Sequence, residues 1–140
     1  MITREQGLLT WASRWRTLKA WQRDLSEVKV TISDRHFPDR LGTCWPHQQR
    51  LVVYRGKNFI DELGTLIHEL AHAATIGQHH DEPWQEVYST AVTEITGIAV
   101  TPIADNYEVL NMAAKDAMRT WWKISGNAML WRLASKGTLQ

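Results

Sequence analysis

The sequence predicts an α+β domain in which a small antiparallel sheet packs on several helices. Three observations carry that expectation. "VKVTI" (28–32) alternates apolar and polar residues with period two. Two extended runs, 41–45 and 50–54, flank the turn-like "PHQQ". Several other stretches place apolar residues at helical spacing. At 140 residues, with no repeat, linker or low-complexity tract, the chain reads as one domain, 1–140, able to bury a core without disulfides.

The first stretch places Leu8, Trp11, Trp15, Leu18, Trp21 and Leu25 at helical spacing, with Arg14, Arg16, Lys19 and Arg23 mostly between them. It predicts an amphipathic helix with a basic outer face. The strand at 28–32 follows, then a loop, "SDRHFPDR", broken by Pro38, and then the hairpin. Asn58 or Asp61 can cap the next helix. Ile60, Leu63, Ile67, Leu70, Ala71 and Ala74 form its apolar stripe, and Gly77 is placed to end it. Asp81 suits an N-cap and Pro83 a first turn. The helix they start buries Trp84, Val87, Tyr88, Ala91, Val92 and Ile95, and Gly97 stops it. A helix over about 106–124 keeps Leu110, Ala113, Ala117, Met118 and Trp121 in register, and a short tail helix, "AMLWRLAS", is expected after Gly126 and Asn127.

Composition narrows the function classes. A net charge of +1 demands neither nucleic acid nor a membrane as partner. One cysteine, Cys44, excludes an intrachain disulfide and a four-cysteine zinc ribbon. The amino terminus lacks the pattern of a secretory signal, and no apolar run approaches the roughly 20 residues of a membrane span. The expectation is a cytoplasmic protein.

The chemistry concentrates in "LIHELAHAATIGQHHDEPW" (66–84), which holds four of the six histidines. In "HELAH", His68 and His72 are four apart, so on a helix both imidazoles share one face and can grip one metal ion. Zinc suits imidazole nitrogen, and a catalytic zinc keeps three protein ligands and one position for water. Glu69, beside the first ligand, can take the proton of that water as general base and pass it to a leaving amine. Gly77 lets the chain turn back, bringing His79, His80 and Asp81 towards the metal; Glu86 and Glu94 are also chemically able to be the third ligand. A metzincin pattern fails, because Thr75 and Gln78 stand where it needs glycine and histidine. A gluzincin pattern would use Glu94.

"HELAH", a short turn and then "HDEPW" resemble the SprT-like (Spartan and Wss type) zinc metallopeptidases, where a histidine after HExxH is followed by Gly or Asp and by an aromatic four residues on. His80, Asp81 and Trp84 fit that frame, so the resemblance implies His80 as third ligand rather than His79. "RLGTCWPHQQRLVVY" is similar to the family's hairpin. The resemblance spans about 28–98. It implies a zincin-like α+β core, one Zn2+ per chain, peptide-bond hydrolysis and protein substrates, in the best-known branch those bound or crosslinked to DNA. The chain would be a minimal catalytic domain, without the family's cysteine-rich ribbon or long tail.

Other residues have both a functional and a plainer reading. The Arg/Trp-rich first helix, with "MRTWWK" and "LWRLASK", could bind single-stranded DNA by phosphate contacts and stacking; the helical spacing of the tryptophans favours core packing instead. Trp84 and Tyr88 read as packing residues, Cys44 as a buried thiol rather than a Cys44/His47 half-site, and His36 as a solvent-loop residue. A peptide substrate is expected to lie extended along the hairpin edge, in the 50–54 run. The alternatives to a peptidase are a zinc-dependent endoribonuclease, whose motif would be HGxxH, and a non-catalytic zinc-stabilised binding module.

Overall fold

The computed structural model describes residues 2–77, 79–102 and 106–125, so the expected tail helix and "LWRLASK" lie outside it. The described residues form helices α1 (Arg4–Trp15), α2 (Phe59–Thr75), α3 (Glu82–Thr96) and α4 (Tyr107–Ile124), and strands β1 (Lys29–Ile32), β2 (Gly42–Trp45) and β3 (Arg50–Val53). The α+β class holds, with a three-stranded sheet on four helices.

α1 opens with a capping box: the Thr3 hydroxyl accepts from the Gln6 amide, and the Gln6 side chain accepts from the Thr3 amide. It ends at Trp15, short of the expected continuation to Leu25. A continuous helix would send the Lys19 and Ala20 amides to the carbonyls of Trp15 and Arg16. Both amides instead bond the Glu94 carboxylate, at 3.0 and 2.9 Å. The Trp15 carbonyl accepts from the Trp21 indole at 2.6 Å, and the Arg16 carbonyl from the Leu25 amide. The Arg16 guanidinium, expected on a solvated face, gathers the carbonyls of Leu25 and Val28. The chain therefore folds into a short 3-10 turn, Lys19–Trp21, that still buries Trp21 and Leu25.

The hairpin forms as expected, antiparallel from Gly42↔Val53 to Trp45↔Arg50. The sheet is nevertheless mixed rather than wholly antiparallel, because β1 pairs with β3 in parallel and the order is β1-β3-β2. β3 is the apolar strand, with Leu51, Val52 and Val53 all buried, so it takes the centre, while the half-exposed β1 flanks it. This corrects the expected substrate edge: 50–53 is a central strand, and the hairpin's outer strand is β2. The Tyr54 amide bonds the Leu41 carbonyl. The antiparallel alternation then turns the backbone groups of Gly42 and Cys44 away from β3.

α2 is the axis of the molecule, packed against the sheet, α1, α3 and α4. Its buried residues accordingly run nearly all round it, beyond the single stripe read from the sequence. Asn58 is its N-cap, accepting from the Asp61 amide at 2.9 Å. The buried Arg4 guanidinium pairs with Glu62, which also accepts from the Gly56 amide, and so locks α1 to α2. Asp81 caps α3 and Gly97, at φ 72°, ends it. Asn106 caps α4, whose buried stripe is Leu110, Ala114, Ala117, Met118 and Trp122; Ala113 and Trp121, expected inside, are half-buried. Trp11, Trp15, Trp121 and Trp122 pack in tilted and edge-to-face contacts, with ring centroids of Trp11 and Trp121 5.3 Å apart, tying α1 to α4. Among the described residues no helix is long and apolar enough to cross a membrane.

Candidate metal centre

One turn apart on α2, His68 and His72 present their rings to the same side, and the return of the chain after α2 brings in the third histidine. Ile76, not Gly77, is the left-handed residue that ends the helix, at φ 50°. Gly77 has another part: its carbonyl accepts from His72 Nδ1 at 2.8 Å. The segment beyond then places His80 Nε2 3.0 Å from His68 Nε2. Ligand atoms of His68, His72 and His80 all lie within 4.8 Å of one another. A tetrahedral zinc with bonds of about 2.0–2.1 Å sets its nitrogens about 3.3 Å apart, so small ring movements suffice.

The rings are held from behind. His68 Nδ1 faces the Asn111 side-chain oxygen at 3.3 Å, and His72 Nδ1 faces a carbonyl. Both partners accept only, so each Nδ1 carries the proton and each Nε2 keeps its lone pair for a metal. Trp84, fully buried, stacks on His72 and donates its indole N–H to the His68 carbonyl at 3.3 Å. Tyr107 stacks on His80 with centroids 4.0 Å apart, and Gln85 bonds the His80 carbonyl at 3.0 Å. Burial, reinforced by the neighbouring imidazoles, holds His68 down to about 3. Burial likewise lowers His72 to about 4, and lowers His80. Neutral imidazoles are the form a metal needs.

Glu69 lies beside this cluster on a cleft of about 310 Å³ shared with His68, His80, Gly42, Tyr88 and Asn111. Burial pushes its carboxyl up to about 8. A dication next to it would return it towards carboxylate. Gly42 of β2 makes room for it: a Cβ there would stand 2.9 Å from Glu69 Oε2, Thr65 Cγ2 and the Val52 carbonyl oxygen. Tyr88 is the packing residue expected, stacked on Trp84 and 1% exposed, yet it also lines the cleft. Burial, with Glu69 nearby, raises its hydroxyl's pKa. Cys44, buried on β2, is pushed up to about 12 by burial and then by Glu69.

The remaining candidates fall elsewhere. His79 is exposed and outside the cluster, Asp81 is spent on capping α3, and Glu86 is exposed. Glu94 serves the turn at 19–21. His47 is exposed and His36 lies in an exposed loop, its Nδ1 3.2 Å from the Arg55 carbonyl. The sequence reading missed Asn111, Tyr107 and Gln85. Asn111 carried a faint signal, a poor helix former in mid-helix beside the apolar stripe; the other two carried none. Comparison of the chain with known protein families, curated proteins and solved structures gives no match.

Proposed function

We propose that this chain is a zinc-dependent peptidase of SprT-like type with a zincin-like fold, acting on protein substrates in the cytoplasm. His68, His72 and His80 hold one zinc ion, and Glu69 is the general base and then the general acid. The observation that carries the reading is the convergence of three imidazoles, two of them held through Nδ1 so that Nε2 faces the cluster, beside the buried carboxyl group of Glu69 on an open cleft. Zinc, when bound, supplies Lewis acidity that polarises the scissile carbonyl and lowers the pKa of water to about 7. Glu69 takes the proton of the attacking water as its oxygen bonds the carbonyl carbon. It then delivers that proton to the departing nitrogen as the C–N bond breaks. The β2 edge, where the Gly42 backbone groups point away from β3, can take an extended substrate by strand addition. The glutamate after His68 distinguishes the site from an HGxxH endoribonuclease.

Two measurements test it. A native mass spectrum of the chain, purified without chelators and with zinc added back, should show one zinc, lost or weakened in His80→Ala. Peptide hydrolysis by the loaded chain should fall roughly 10²–10⁴-fold in Glu69→Gln. A wild type that takes up no metal overturns the reading. Full biological activity in Glu69→Gln would point instead to a zinc-stabilised binding module.

A further inference from the structure

The cleft over the histidines continues past them in two directions. Towards the far end of α4 it opens into a recess of about 150 Å³, with Leu41, Thr65 and Lys115 lining both spaces. Towards α3 it opens into a recess of about 680 Å³, with His80 and Tyr107 shared. The two are oppositely charged. The first holds Lys57, Lys115 and Arg119 against one carboxylate, Asp61, which Arg119 already pairs at 3.4 Å. The second holds Asp81, Glu82 and Glu86, with no lysine or arginine among its described lining residues. The sign of the wall therefore reverses across His68 and His80.

Lys115 is the pivotal cation. It follows Asn111, which bonds His68, by one turn of α4. Its stem crosses Gly64, one turn before His68 on α2, with Cγ 3.7 Å from where a Cβ of residue 64 would stand. Among the described residues no carboxylate pairs with it. A helical turn is about 5.4 Å and an extended peptide rises about 3.3 Å per residue, so Lys115 lies one or two peptide positions from the histidines.

We propose that the basic recess is a specificity pocket for a peptide carboxylate. The carboxylate is an acidic side chain one or two residues from the scissile bond, or the chain's own C-terminus, and Lys115 is the residue that selects it. The acidic recess disfavours the same group on the opposite side of the bond. The inference rests on the peptidase reading of this cleft. A nucleic-acid strand fits less well, because its phosphates would run through both recesses and meet Asp81, Glu82 and Glu86 in one of them.

The test is fluorescence anisotropy with the zinc-loaded full chain carrying Glu69→Gln, so that bound peptides stay intact. Amidated peptides with one aspartate at successive positions are compared with their asparagine twins, with a neutral peptide bearing a free C-terminal carboxylate, and with a single-stranded oligonucleotide. The aspartate or C-terminal carboxylate peptide should bind about tenfold tighter than its neutral twin, the scale of one charge-assisted contact. Adding Lys115→Gln should bring that ratio to about one, while Lys115→Arg keeps it. Whichever of the two carboxylates shows the preference identifies the natural source. Equal affinities, a preference that survives Lys115→Gln, no peptide binding, or an oligonucleotide that displaces peptide through Lys115 would each overturn the inference. Hydrolysis by the chain without Glu69→Gln separates the two readings. A Lys115-dependent carboxylate preference without cleavage defeats the peptidase alone, and equal cleavage of acidic and neutral peptides defeats the specificity pocket alone.

Discussion

Ile76 ends α2 at φ 50° and ψ 47°, a backbone state that glycine adopts freely and a β-branched residue resists by roughly 1–2 kcal/mol. Its side chain is 43% exposed, so little packing offsets that strain. Ile76→Gly should therefore stabilise the protein by about 0.5–1 kcal/mol after glycine's extra chain entropy, seen as a higher urea midpoint. A lower midpoint would show that the isoleucine contacts matter more than its backbone. Gly42 is the opposite case. A methyl group there meets the Val52 carbonyl, which the sheet holds in place, as well as Thr65 and Glu69. Gly42→Ala should cost about 1–3 kcal/mol of stability and slow peptide hydrolysis by displacing Glu69; thermal melting and kinetics together check this. An alanine variant with native stability and rate would show that β2 can shift freely.

The elements divide the work of the site. α2 supplies two imidazoles and the carboxylate, the turn before α3 supplies the third imidazole, and α4 supplies the supports, Asn111 behind His68 and Tyr107 against His80. Asn111→Ala frees the His68 ring and removes the acceptor that fixes its tautomer. Zinc affinity should fall about 10–100-fold with the fold intact, measured by competition with a chromophoric chelator. An unchanged affinity would make Asn111 a bystander. α3 is sited by Trp84, which touches His68 and His72 at once, so the side chain read from sequence as packing also sets the rings' orientation.

For the whole molecule, the same burial makes metal-free stability depend on pH in two opposed ways. His68 and His72, held at about 3 and about 4, stay neutral in the fold where unfolded imidazoles near 6.5 take up protons. Below 6.5 the unfolded state binds more protons, so their contribution is present above 6.5 and lost as pH falls towards 3. Glu69, raised to about 8 from 4.5, acts in reverse: its contribution is present below 4.5 and lost as pH rises to about 8. At pH 6.5 two half-protonated unfolded imidazoles offset one carboxyl, so these groups put the optimum at about pH 6.5. His80, lowered in the same direction as the other histidines, steepens the acid limb and moves the optimum slightly above that pH. Urea midpoints of the chelated protein from pH 4 to 8.5 should trace this dome, and Glu69→Gln should flatten its alkaline side. Midpoints that keep rising to pH 8.5 would contradict the buried, protonated Glu69.

What the sequence by itself determined is what short-range rules decide. Four-residue spacing on a helix puts His68 and His72 on one face, Asn58 and Asp81 cap where their neighbours' amides are unpaired, and the turn at 46–49 makes β2 and β3 a hairpin. What only the tertiary structure decided is carried by contacts between residues far apart in the chain. Glu94 ends the first helix by taking amides 75 and 74 residues away. β1 docks in parallel on β3 because that strand is the most apolar, which leaves β2 as the hairpin's only edge strand. His80 joins the histidines, rather than His79 or Glu94, because α4 arrives with Tyr107 to stack on it and the turn carbonyl of Gly77 fixes His72. Periodicity and spacing describe one element at a time, whereas the side of an element on which a distant residue lands is set by how the elements pack.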